Sequence, residues 1–137
     1  MSHPETFPLA GARVWVTGGT GFLGTRVVSE LASRGALPLV TRSTEVDLLD
    51  PAAAERFLAS ERPDAVVHLA GRVGGIGANR RSPGTFFYAN MAMGLHLIEA
   101  CRRREVTKTL VVGTVCSYPK HAPVPFREDG LWDIKLA

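Results

Sequence analysis

Thr17-Gly18-Gly19-Thr20-Gly21-Phe22-Leu23-Gly24 decides how this chain folds. The apolar run Val14-Trp15-Val16 before it reads as a buried strand, and Thr25-Arg26-Val27-Val28-Ser29-Glu30-Leu31 after it has the spacing of a helix with one apolar face. A strand feeding a glycine-rich turn that opens into a helix is a phosphate-binding device. Gly18 turns where a Cβ would clash, Gly21 lets a pyrophosphate approach the backbone, and Gly24 lets the helix pack closely on the strand. The unbonded N–H groups and positive dipole end of the helix then face the anion. Glycines cluster by chance in many proteins, so the weight rests on the order strand, turn, helix. A plain βα turn explains one glycine, not three at this spacing.

Downstream of this unit, Gly35 ends the first helix, and Leu37-Pro38-Leu39-Val40-Thr41 reads as a second strand, its proline tolerable only near the start. Arg42 follows at the strand end, where this architecture lays the adenine ribose. A carboxylate there takes the 2′-OH of NAD, whereas an arginine accommodates the 2′-phosphate of NADP. Thr41-Arg42-Ser43 supplies a cation and two hydroxyls but no carboxylate, which favours NADP(H) over NAD(H). The competing reading is a solvated arginine after a strand. Asp50-Pro51 supplies an N-cap and a first-turn proline for a helix through Leu58, and Pro63-Asp64 breaks the chain before a third strand, Ala65-Val66-Val67-His68-Leu69.

The segment from Ala70 to Asn79 is too glycine-rich to be regular and sits at the carboxyl end of a strand, the edge at which open α/β sheets bind ligands. Ser82-Pro83 starts a long helix whose residues Phe87, Asn90, Met91, Gly94, Leu95, Ile98 and Cys101 recur three or four apart. Phe86, Met91, Met93 and His96 read as core or helix-pairing residues, and Arg102-Arg103-Arg104 as a solvated helix end suited to the dipole. Thr109 to Gly113 is the fourth strand, and Thr114 to Lys120 leaves it on the ligand side. Alternating strands and helices mean α/β architecture with right-handed crossovers. The expectation is a Rossmann-like half of a doubly wound parallel sheet, four strands in the order 3-2-1-4 with helices on both faces. Residues 1–12 form an N-terminal tail, 13–118 the dinucleotide-binding domain and 119–137 an irregular C-terminal tail.

A length of 137 residues suits one domain, and 45% apolar residues with mixed charges mark it as soluble and globular. The N-terminus, Met1-Ser2-His3-Pro4-Glu5, has neither signal nor transit character and no apolar run reaches membrane-spanning length, so the chain is placed in the cytoplasm and off the membrane. The net charge of +3 is too small and scattered to argue for nucleic acid, though it suits a small anionic ligand. Two cysteines, Cys101 and Cys116, show no metal spacing and read as free thiols.

With these residues assembled, the chain resembles the extended short-chain dehydrogenase/reductase (NAD-dependent epimerase/dehydratase) family and, within it, the GDP-L-fucose synthase branch. The glycine turn and His68-Leu69-Ala70-Gly71 match the broad family. The narrower match rests on Val73-Gly74-Gly75-Ile76-x-Ala78-Asn79, Pro83-x-x-Phe86-x-Tyr88-x-Asn90, Gly113-Thr114-Val115-Cys116-Ser117-Tyr118-Pro119-Lys120 and Pro125-x-x-Glu128. The resemblance implies that a dinucleotide lies against Gly18, Thr20, Gly21, Phe22 and Leu23, against Arg42, Asp47 and Leu48 beyond the second strand, and against Leu69, Ala70 and Gly71 after the third. It also implies that Thr114 hydrogen-bonds a sugar keto oxygen and that Cys116 is the acid/base of an epimerase step. That chemistry is coherent, because a proton beside a ketone becomes removable once donors hold the developing enolate oxygen. An inert buried thiol is the competing reading of Cys116.

The family's Tyr-x-x-x-Lys falls beyond the last residue, since Tyr88 is followed by Ala92 and Tyr118 by Ala122. The chain therefore reads as truncated before the substrate domain, with the histidine partner of Cys116 also missing and Thr20 and Gly21 where the family carries a loop arginine. Two readings stay open: proton transfer beside a carbonyl of a small molecule, such as a nucleotide sugar, completed by a second subunit; or a non-catalytic nucleotide-binding module that stabilises a partner. Whether the cofactor pocket is occupied is left open. A bare fourth strand is an aggregation hazard, so a homodimer or a partner chain covering it is expected, with the long helix or the tail from Pro119 at the contact.

Overall fold

Along the chain, β1 (Arg13–Thr17) leads to α1 (Phe22–Ser33), β2 (Leu37–Thr41), α2 (Pro51–Glu61), β3 (Ala65–His68), a short α3 (Ile76–Arg81), a long α4 (Pro83–Arg103) and β4 (Lys108–Val111), with a 3-10 turn at Glu128–Trp132 in the tail. A computed structural model describes residues 7–114, 117–119 and 121–132. Local chemistry sets the boundaries. Gly35, at φ +79, closes α1 by donating to the Ala32 carbonyl, and Ala36 reaches back to Leu31. The Asp50 carboxylate accepts the Ala52 N–H at 2.9 Å to start α2, with Pro51 in its first turn. Arg56, 2.7 Å from the other oxygen, is the main reason the Asp50 carboxyl sits below its ordinary pKa. Glycine does not keep all of 70–79 irregular: its last four residues open α3.

All four strands are parallel, and the sheet order is β2-β1-β3-β4. The architecture is the expected doubly wound one, but the order 3-2-1-4 is corrected: the third strand lies beside β1, not outside β2. The reason can be read from β2. Leu37 donates its N–H to Ala12 beside β1, so by alternation Pro38 stands where the outer edge would need a donor, and it has none. The chain then folds residues 42–50 into turns, with Glu45 accepting the Arg42 N–H at 2.7 Å and Asp47 the Leu49 N–H at 2.9 Å. A strand placed beyond β2 would have met an edge that lacks this donor. The crossover through α2 instead passes under β1.

That reversal puts the helices on opposite faces, as right-handed connections require. On one face Val14, Val16, Ala36 and Ala65 are buried with Val27, Val28 and Leu31 of α1 packed against them. On the other, Trp15, Val66, Ala54, Leu58, Leu97, Ala100 and Cys101 form the core under α2 and α4. Trp15 is fully buried, packs against Phe57 with ring centroids 4.4 Å apart and planes tilted by 34°, and donates its indole N–H to Thr41. The inward side of α4 is an alanine-rich stripe, Ala89, Ala92, Leu97, Ala100 and Cys101. Phe87, Met91, Leu95 and Ile98, which share the same periodicity, face outward. Among the described residues no helix is long and apolar enough to cross a membrane.

Candidate functional site

The chain leaves β1 toward α1 on one face and leaves β3 toward α3 and α4 on the other. Because β1 and β3 are neighbours, a crevice opens between their carboxyl-end loops, the topological switch point at which such sheets bind ligands. In the first loop Gly18 takes φ +71, and a Cβ on it would come within 2.8 Å of the Ala70 backbone nitrogen. Only a glycine lets the two loops touch. Gly24, the buried residue of α1, lies so close under the turn that a Cβ there would stand 2.6 Å from the Gly19 Cα. The start of α1 is thus drawn down onto the turn, with no side-chain cap on its first N–H groups and no acidic residue in its first turn. Phe22 is 97% exposed and Leu23 is half-exposed, so both lie open beside Thr20 and Gly21.

Thr17 and His68 hold the two loops in register. The Thr17 carbonyl accepts the Leu69 N–H at 3.1 Å, while the hydroxyl accepts the Ala70 N–H at 3.3 Å and shares a 2.7 Å hydrogen bond with His68 Nδ1. Both side chains are buried, and burial pushes the His68 pKa down, favouring the neutral ring. The glycine-rich loop after β3 has a second clamp. Asn90, projecting from α4, accepts the Arg72 N–H at 2.7 Å and donates to the Arg72 carbonyl at 3.0 Å, pairing with one residue as a neighbouring strand would. Asn79 adds a bond to the Gly74 carbonyl at 2.8 Å. The latch and the clamps escaped the sequence reading, in which His68, Asn79 and Asn90 served only as motif letters. A loop this rich in glycine needs outside partners for its backbone, and the asparagines were the signal.

The predicted site residues fall into groups. Gly18, Thr20, Gly21, Phe22 and Leu23 follow β1, and Leu69, Ala70 and Gly71 follow β3 at the neighbouring strand end, with Gly18 against Ala70. Arg42 is exposed at the end of β2, its own N–H bonded to Glu45. The Asp47 carboxylate is engaged in its turn, and the Leu48 side chain is buried in the core, its carbonyl 2.9 Å from His96 Nδ1. Thr114 follows β4 at the same edge of the sheet, with its carbonyl accepting the Ser117 N–H at 3.0 Å. Cys116 lies outside the described residues. Cys101 is a free, buried thiol, its pKa raised by burial. A groove of about 340 Å³ between α2 and α4 contains no residue of a strand-end loop, and Glu99 in it is held down to about 2 by Arg102 and Arg103. Among the described residues no group of three or more metal-ligating side chains occurs.

A family model described as the NAD dependent epimerase/dehydratase family matches residues 14–132. The chain belongs to this family. Among curated relatives, the GDP-L-fucose synthase of Sinorhizobium fredii is 40% identical over 123 residues, covering 90% of this chain and 39% of its own length. Among solved structures, a GDP-L-fucose synthetase from Naegleria fowleri bound to NADP superposes with a TM-score of 0.76 at 26% identity, over 96% of this chain and 41% of that one. The UDP-glucose 4-epimerase of Thermus thermophilus in complex with NAD gives 0.71 at 31% identity, over 86% and 43%. This epimerase/dehydratase chain therefore spans about two fifths of the length of the relatives it matches. The donor set at this turn fits a dinucleotide's diphosphate: the first N–H groups of α1 carry no side-chain cap, and no acidic residue stands in its first turn.

Proposed function

We propose that the crevice between the β1 and β3 loops binds a nicotinamide dinucleotide, NADP(H) in preference to NAD(H), as the cofactor portion of a GDP-L-fucose synthase-like epimerase/reductase. The observation that carries this is the joined pair of loops, with the uncapped start of α1 aimed between them. Gly18, Thr20 and Gly21 form the turn that lies against the diphosphate, and the uncapped first N–H groups of α1 are its donors. Arg42 takes the 2′-phosphate, and Leu69, Ala70 and Gly71 form the opposite wall. The bound cofactor would supply hydride to a keto carbon. Around that carbon Thr114 donates a hydrogen bond to the carbonyl oxygen of a nucleotide sugar, and Cys116 removes the neighbouring proton as thiolate. A second subunit completes the site, and the outward stripe Phe87, Met91, Leu95 and Ile98 on α4 is the surface for a homodimer.

Titration with NADPH, followed by the cofactor's own fluorescence, tests the binding claim; saturable binding that Gly18→Val abolishes is expected, and no binding at about millimolar cofactor removes the claim. A second reading, a binding module without chemistry, is favoured by one observation: neither Tyr88 nor Tyr118 is followed four residues later by lysine. Deuterium uptake from solvent into a GDP-4-keto sugar, lost in Cys116→Ala, separates the two. Uptake that persists in that variant removes Cys116 from the mechanism. No uptake in the wild-type chain leaves the module reading.

A further inference from the structure

Charge is distributed unevenly between the two ends of the sheet. At the carboxyl edge, the chain passes from β1 to α1 through 18–21 and from β3 to α4 through 69–82, with the short α3 inside the second connection. Neither connection contains an acidic residue, and none occurs anywhere from Ala65 to Ile98. The same stretch carries Arg72, Arg80 and Arg81, all exposed, and among the described residues none of the three pairs with a carboxylate. Acids that follow the carboxyl end of a strand lie in the connection from β2 to α2, where Glu45, Asp47 and Asp50 each accept a backbone N–H, and in the tail at Glu128 and Asp129, the latter 3.4 Å from Arg127. The amino edge is the opposite. Helices α1 and α4 run back from the crevice, so Arg34 after α1 and Arg102 and Arg103 at the end of α4 stand there, each held by Glu30 or Glu99 at 2.7–2.8 Å.

Grouped exposed cations contribute nothing to stability, but they set up a field. A crevice whose walls carry one sign of charge, backed by an apolar sheet, focuses that field toward its mouth. The backbone under these cations is fixed. Asn90 bonds both the N–H and the carbonyl of Arg72, and Arg81 lies back along α3, its Nη1 3.4 Å from where a Cβ on Gly77 would stand. We infer that Arg72, Arg80 and Arg81 form an encounter surface that steers an anionic dinucleotide into the crevice and does not hold it once bound. This rests on the cofactor reading above and adds how the ligand arrives. NADPH, with about four negative charges on its diphosphate and 2′-phosphate, feels such a field more steeply than NADH, with about two. Long-range attraction acts on the association rate and fades with salt, whereas a bonded contact acts on the dissociation rate.

The test is stopped-flow association of NADPH with the wild-type chain and two triple variants. Arg72→Gln, Arg80→Gln and Arg81→Gln together remove the crevice cations; Arg34→Gln, Arg102→Gln and Arg103→Gln remove as many from the amino edge. Each set takes three charges from a formal net charge of +3 and leaves zero, so only placement differs. At about 20 mM ionic strength the crevice variant should associate roughly tenfold more slowly and dissociate within about twofold of wild type, and the difference should vanish by about 0.5 M salt. NADH should slow only about threefold, and the amino-edge variant should match wild type throughout, within about twofold. Equal slowing in both variants, faster dissociation from the crevice variant, or slowing that persists at high salt would overturn the inference. Relaxation of backbone amides by an anionic and a neutral nitroxide reads the field with no cofactor present. Amides 71–82 of the wild-type chain should favour the anionic probe and lose that preference in the crevice variant; an absent preference overturns the inference even where NADPH binds. Failure of NADPH to bind with the preference intact would instead count against the cofactor reading alone, and leave the surface as a collector of anions.

Discussion

Replacing Gly24 by alanine sets two effects of opposite sign against each other. Inside an exposed helix the change gains about 1 kcal/mol, because glycine has the more flexible unfolded chain. At Gly24 the added methyl would stand 2.6 Å from the Gly19 Cα and closer still to the Gly18 carbonyl oxygen, whereas ordinary contact begins at 3.4 Å. Both neighbours are backbone, so no rotamer change relieves the clash and α1 must lift off the turn. Overpacking of this kind costs roughly 1–3 kcal/mol, and with backbone on both sides the upper part of that range applies, for a net loss of about 2 kcal/mol after the propensity gain. Gly94→Ala is the internal control. It sits within α4 with no atom within 4 Å of its added methyl, so the propensity gain should appear undiminished. Urea unfolding of the three proteins gives the comparison, and NADPH titration should show affinity at least tenfold weaker in Gly24→Ala. If Gly24→Ala matches Gly94→Ala in stability and binds cofactor normally, the close seating of α1 on the turn is wrong, and the phosphate cradle with it.

Arg42→Ala should weaken NADPH by roughly ten- to a hundredfold, the range for losing a charge-assisted bond to phosphate, while leaving NADH within about twofold; equal losses for both cofactors would remove the 2′-phosphate role. Burial holds the His68 pKa below 6.5 in the folded chain, so as pH falls through about 6.5 the unfolded state takes up a proton that the folded state refuses, and stability drops until the lower folded value is passed. Urea midpoints measured between about pH 7.5 and about pH 5.5 should therefore fall, and should fall less in His68→Asn; parallel slopes would show that His68 titrates normally. In a Cys116→Ala background, native Cys101 should react with a thiol reagent at least tenfold more slowly than in urea, because it is buried and its thiol pKa is raised. Equal rates would place Cys101 at the surface.

Much of this was legible because local chemistry and global fold agree. The glycine turn, Asp50-Pro51, Gly35 and Pro63 each mark a boundary by a backbone property that belongs to the residue itself, and each boundary falls where that property puts it. Periodicity did less well on α4. Phe87, Met91, Leu95 and Ile98 repeat at helical spacing, but so do Ala89, Ala92 and Ala100, and the small residues are the ones turned to the sheet. Close approach of α4 to a sheet already filled by Trp15 and Phe57 favours alanine, and the large side chains are left outside. Strand order was hidden for a related reason. Whether a crossover passes under one strand or stays outside depends on what the edge strand can still bond. The single clue was Pro38, read as a tolerated residue when it removes a donor from the outer edge.

Binding and chemistry are separable in this scaffold. The contacts that join the two loops, Gly18 against Ala70 and Thr17 against His68 and Ala70, and the clamp of Asn90 on Arg72 are made by residues within 17–90, and β4 touches this set through the Val112 N–H on the His68 carbonyl. Thr114, in contrast, follows β4, whose Leu110, Val111 and Val112 are each about half exposed. Cofactor affinity should accordingly be near its full value in this chain alone, whereas any proton transfer at carbon should rise only when a second polypeptide completes the site. Measured together across a titration with a polypeptide spanning the part of the Sinorhizobium fredii relative that the match leaves out, NADPH affinity should stay within about twofold while deuterium uptake into the keto sugar climbs with complex formation. Cofactor affinity that climbs in step with uptake would mean that the crevice is not complete in this chain alone, and that the latch between Thr17 and His68 does not hold its walls unaided.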